Sequence, residues 1–93
     1  MIVGILSVEI IIPSAASLKD KRKIVLSVKD RLRKKFNVSA AEVGYQDKWQ
    51  RSLLGVAAVS EKRKFVEECL NKVFDFLDNE VSFEIVKYNF EYV

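Results

Sequence analysis

Residues 2–12 alternate with a period of two. Ile2, Gly4, Leu6, Val8, Ile10 and Ile12 share one face, and Val3, Ile5, Ser7, Glu9 and Ile11 share the other. This pattern predicts a strand whose first face enters a core. The second face is mixed, and more apolar than a fully solvated face. Pro13 ends the strand, since it cannot donate to a ladder. The period then changes. From Leu18 to Phe36, at about 100° per residue, Leu18, Val25, Val28, Leu32 and Phe36 gather on one side of a helix. Ser17 is its N-cap, with Asp20 three residues on. Asn37 ends it in a left-handed conformation.

A second strand is predicted over Ser39–Gln46, with Ala41, Val43 and Tyr45 alternating against Ala40, Glu42 and Gly44. Asp47-Lys48-Trp49 reads as a hairpin tip. Gln50–Val59 follows as a third strand, with Leu53, Gly55, Ala57 and Val59 on one face and Leu54, Val56 and Ala58 on the other. Both faces are apolar, which places it centrally in a sheet. Ser60 is read as a second N-cap, with Glu61 in the first turn. Phe65, Val66, Cys69, Leu70, Val73, Phe74 and Leu77 then repeat at helical spacing as far as Asp78. The last strand, Ser82–Tyr92, has a phase conflict. Phe83 and Ile85 alternate in one register, while Val86, Tyr88, Phe90 and Tyr92 alternate in the other. A β-bulge near Ile85-Val86 reconciles them, and so does a strand with both faces covered.

The order β-α-β-β-α-β implies two right-handed crossovers around a central hairpin. The fold class is α+β: a ferredoxin-like sandwich of four antiparallel strands with two helices on one face. Its strand order, 4-1-3-2, centres the first and third strands. Ninety-three residues suffice for one such domain, residues 1–93, and not for two cores.

Charge sharpens this picture. The net charge is +3, but nine of the sixteen basic residues lie between Lys19 and Lys35. That stretch carries +7 and the remainder −4. An acidic partner would therefore meet one face. Lys19, Lys23, Arg31, Arg33 and Lys34 turn away from the apolar stripe and become candidate phosphate contacts. Lys21 and Lys29 fall too near the stripe, and Leu26 stands out on the polar side. At the hairpin tip, Lys48, Trp49 and Arg51 form a second candidate contact, in which Trp49 can stack on a base. The same residues also read as a solvated helix face and a core-capping tryptophan.

Other chemistry is thinly represented. There is no histidine and one cysteine, Cys69. Zinc sites built from His and Cys are excluded, and so are histidine acids and bases and an intramolecular disulfide. Glu67, Glu68, Asp75 and Asp78 read as a solvated helix face. Gly4, Gly44 and Gly55 lie inside strands and form no phosphate-binding loop. No metal, cofactor or catalytic site is expected. No signal peptide or membrane span is expected either, because the apolar Met1–Pro13 run is short of about 20 residues. Tyr88, Phe90 and Tyr92 occupy a different strand from the stacking aromatics of RNA-recognition motifs, and are assigned to the core or to a dimer contact. The uncovered sheet face is expected to hold Val3, Ile5 and Ile11 with Leu54 and Val56, unless the third strand presents its two faces the other way round. Such a patch implies association, most simply a homodimer.

The strings SLKDKRKIV (17–25), DRLRKKFNVSAAEV (30–43) and DKWQRSLLGVA (47–57) resemble those of the YlxP-like family of small bacterial proteins, which lacks an assigned function. The resemblance implies a ferredoxin-like fold and a cytoplasmic location. Members are often encoded near translation and ribosome-maturation genes, so it also implies RNA or the ribosome as a partner. It carries over no catalytic residue.

Overall fold

The structure, a computed structural model, describes residues 1–93. Strand β1 (Ile2–Ile11) leads into helix α1 (Leu18–Lys35), then β2 (Ser39–Gly44), β3 (Arg51–Ser60), helix α2 (Arg63–Asp78) and β4 (Glu84–Tyr92). The sheet runs β2-β3-β1-β4 with every neighbour antiparallel. The expected ferredoxin-like sandwich is present, with β1 and β3 at its centre.

Burial follows the two periods. On β1 the residues Leu6, Val8 and Ile10 are fully buried, and on β3 the alternate set Ser52, Leu54, Val56 and Ala58 is buried. They meet Val25, Val28 and Leu32 of α1 and Val66, Leu70, Val73 and Leu77 of α2 in one core. Truncating any of the buried leucines to alanine would cost about 2–5 kcal/mol. Gly4 marks the closest approach of sheet and helix: a Cβ there would sit 2.2 Å from Val66 Cγ1 and 2.7 Å from Leu70 Cδ1.

The pairing Leu6↔Val56 and Val8↔Leu54 corrects one expectation. Leu54 and Val56 belong to the core, so the open face carries Leu53, Gly55, Ala57 and Val59 beside Val3, Ile5 and Ile11. Three boundaries also differ. β2 stops at Gly44, where its register against β3 shifts. Asn37 does not take a left-handed conformation: α1 closes at Phe36, whose backbone is extended and whose N–H donates to the Leu32 carbonyl. Ser60 pairs with Ile2 as the last residue of β3, and its Oγ accepts from the Lys62 N–H at 3.4 Å rather than from a helical N–H, so α2 begins two residues beyond Glu61, after Lys62.

Of the two resolutions of the phase conflict in the last strand, the β-bulge is the one present. Glu9 pairs with Lys87 and Ile10 with Ile85, leaving Val86 as the extra residue. On one side of it Ile85 faces the core. On the other, Tyr88, Phe90 and Tyr92 pair with Val8, Leu6 and Gly4 on the same side of the sheet.

Candidate nucleic-acid interface

Helix α1 is positioned at both ends. Ser17 Oγ accepts from the Asp20 N–H at 3.1 Å, while Asp20 Oδ2 accepts from the Ala16 N–H at 3.0 Å. This reciprocal pair satisfies one orphan donor of the first turn and ties the residue before the cap to the helix. Arg33, Lys34 and Lys35 occupy the last turn, at the negative end of the helix dipole.

The predicted phosphate contacts on α1 are all exposed, but they divide into two groups. Lys19, Lys23 and Lys34 have no intramolecular partner and lie along the outward ridge with Leu26, which is 54% exposed. Arg31 is engaged: it forks onto Glu80, with Nη2 3.1 Å from Oε2, and lies 5.6 Å above the Phe76 ring. The Glu80 carboxylate raises the Arg31 pKa. Arg33 donates to the Ala40 carbonyl at 2.7 Å and faces Asp30 at 3.5 Å, joining the end of α1 to β2. Arg22 belongs with the free group, since it is exposed and unpaired on the flank beside that ridge. On the helical wheel it falls about 40° from Leu18, at the edge of the apolar stripe, so sequence reasoning passed it over.

Lys21 faces inward. It is fully buried, and its ammonium sits 3.0 Å from Glu42 Oε2. The same group donates to the carbonyls of Tyr45 at 2.7 Å, Gln46 at 3.2 Å and Arg51 at 3.3 Å. Ser52 Oγ donates to Glu42 as well. A buried ammonium needs this much compensation. One lysine of the basic helix is therefore an anchor for the β2–β3 loop.

That loop, residues 45–50, is the hairpin tip. Lys48 is exposed and unpaired, and Trp49 is 52% exposed. Trp49 and Asp47 share a hollow with Ala16, Ser17 and Leu18, so the tip lies at the N-terminal end of α1. Arg51 points to the open sheet face, 3.5 Å from Glu9, with its guanidinium 5.3 Å from the Tyr45 ring. Tyr45 is the one non-glycine residue with positive φ, at 59°. Sequence reasoning placed it in a strand and did not see this.

The β4 aromatics lie on the helix side. Tyr88 and Phe90 pack on Phe74 with ring centroids 4.6 and 6.0 Å away, and Arg63 covers Tyr92 at 4.7 Å. Cys69 is half-buried, and burial pushes its thiol pKa up, with Lys72 pulling weakly the other way. No three His, Cys, Asp or Glu side chains stand close enough together to hold a metal ion. No helix is long and apolar enough to cross a membrane.

Two comparisons bear on the family of the chain. A family model described as a protein of unknown function, DUF503, matches residues 3–90. The chain is also similar to the uncharacterized protein YlxP of Bacillus subtilis (strain 168), with 46% identity over 77 residues, covering 83% of this chain and 84% of that one. The chain belongs to this YlxP-like family of proteins of unknown function.

Proposed function

We propose that this protein is a cytoplasmic, non-enzymatic RNA-binding module that lays the outward ridge of α1 along the phosphates of structured RNA or a ribosomal surface. The observation that carries this reading is the set of unpaired, exposed cations, Lys19, Arg22, Lys23 and Lys34, on a domain whose remainder is net negative. Cations free of intramolecular carboxylates are available to displace counterions from a polyanion, and phosphate contacts of this kind position without reading sequence. The acidic body disfavours other approaches and orients the encounter. Fluorescence anisotropy of a labelled structured RNA tests the reading. Replacing Lys19, Lys23 and Lys34 together with glutamate should abolish binding in a protein whose fold is intact by circular dichroism. Unchanged affinity would overturn it.

A second reading is a homodimer through the open sheet face. Val59 and Val43 are more than half exposed there, beside the partly exposed Val3, Ile5, Ile11 and Leu53. An uncovered apolar sheet face of this kind supports association with a second copy. The two readings are compatible, since a dimer would present two basic helices. Sedimentation showing only monomer at high concentration would remove the second.

A further inference from the structure

The end of the sandwich carries a cleft of about 370 Å³ lined by Tyr45, Lys48, Trp49, Gln50 and Arg51. This volume is within the range of small-ligand clefts, about 300–1,000 Å³. Two aromatic rings, one amide and two cations converge on it, and the loop that bears them is fixed from below. The buried Lys21 ammonium holds the carbonyls of Tyr45, Gln46 and Arg51. The Gln50 amide donates to the carbonyls of Pro13 at 3.2 Å and Ala15 at 3.0 Å, and the Gln50 carbonyl accepts from the Ile12 N–H at 2.9 Å. A turn bond from the Lys48 N–H to the Tyr45 carbonyl, 3.0 Å, closes the tip. Loop tips are ordinarily the loosest part of a hairpin. Here the backbone is tied at several points while the Trp49 ring stays half exposed.

Tyr45 adds a second indication. Its φ of 59° is disfavoured for an aromatic residue, and such strain persists where the surroundings over-determine it. The Arg51 guanidinium lies over the Tyr45 ring and is steadied by Glu9. The Tyr45 wall of the cleft is thus held in place before any ligand arrives, and the backbone that carries Trp49 is tied down beside it. Preorganised aromatic surface beside cations suits the π-face of an unpaired base with its phosphate.

We propose that this cleft takes one unpaired base of single-stranded RNA, stacked on Trp49 against the wall that Tyr45 and Arg51 form, with Lys48 on the adjoining phosphate. The proposal rests on the RNA-binding reading and specifies it. The ridge of α1 would hold phosphates of any RNA, whereas the cleft would require a base free of its neighbours.

Trp49 is the sole tryptophan, so its emission reports on the cleft directly. The full-length protein is titrated with a fluorescently labelled oligouridylate and with a blunt RNA duplex of equal length, with anisotropy read beside tryptophan emission. The single strand should quench Trp49 saturably at the concentration where anisotropy rises, and the duplex should bind without quenching. Trp49→Ala should weaken the single strand about ten- to a hundredfold while leaving the duplex unchanged. Trp49→Phe should restore most of the loss. Tyr45→Gly accepts the backbone conformation and removes one wall, so it should weaken the single strand with Trp49 emission still readable. Oligouridylate binding without any change in Trp49 emission, or equal quenching by the duplex, would overturn the proposal and leave the α1 reading standing. No binding of either RNA at low salt would remove both.

Discussion

Lys21 Nζ and Glu42 Oε2 lie 3.0 Å apart beneath the β2–β3 hairpin, and the lysine has no exposed surface. Glu42 is held in turn by Ser52, and Lys21 by three loop carbonyls. Removing one member leaves the other charge in the interior without its counterpart. Lys21→Met should therefore destabilise the fold by about 3–5 kcal/mol in urea denaturation. The double variant Lys21→Met, Glu42→Gln should lose clearly less than the sum of the single variants, because the two residues act as one network. Additive losses would show that the pair is uncoupled.

The exposed cations of α1 should separate by experiment into two groups. Arg31 and Arg33 serve the fold, so Arg31→Ala should cost about 0–1 kcal/mol and Arg33→Ala about 1 kcal/mol. Lys19→Ala, Lys23→Ala and Lys34→Ala should leave the melting temperature in place. If α1 lies on phosphates, each lysine removed should lower the salt dependence of RNA binding by somewhat less than one unit of log–log slope. Equal slopes for the lysine variants and the native protein would argue against the ridge.

On the open sheet face, Ile5 pairs with Ala57 across β1 and β3 and is covered by neither helix. Ile5→Lys should keep the domain folded and turn any dimer into monomer, read by sedimentation equilibrium. A dimer that survives the substitution would place the contact elsewhere.

Cys69 should be a slow nucleophile. Burial raises its pKa, so at any pH the folded protein holds less thiolate than the unfolded chain. Alkylation by iodoacetamide near pH 8 should accelerate when the protein is unfolded in urea. Equal rates in the two states would show that the thiol is open to reagent and carries no elevated pKa.

The alternation of β1, the capped helix at Ser17 and the bulge of β4 were legible from local patterns, because each expresses a period or a break in one. β3 was ambiguous for a physical reason. Leu53 to Val59 is apolar on both faces, so its period cannot say which face meets the helices. Ser60 has the chemistry of a cap, but pairing with Ile2 draws it into β3. The wheel placed Lys21 close to the core. Its partner Glu42 lies on a separate strand, so nothing local to the helix could name it. Tyr45 was opaque for the opposite reason: a tyrosine seldom takes positive φ, and only the loop's several tertiary ties impose it. For the candidate contacts, the lysines of the α1 ridge were legible as an outward row. The engagement of Arg31 by Glu80 joins residues 49 apart in sequence, and no spacing rule reaches that far.

The extra residue in β4 has an outward consequence. Ile85 pairs with Ile10 and Lys87 with Glu9, so removing Val86 would leave every neighbouring side chain on its present face. Core packing therefore does not demand it. What it alters is the free margin of the sheet, where unpaired backbone groups can recruit a strand from another chain. A kink in that margin, with charged Glu84 and Lys87 close by, interrupts the regular spacing an incoming strand would have to match. The bulge at Val86 makes β4 a poorer template for edge-to-edge strand addition, so deleting Val86 should straighten the strand and increase self-association in sedimentation.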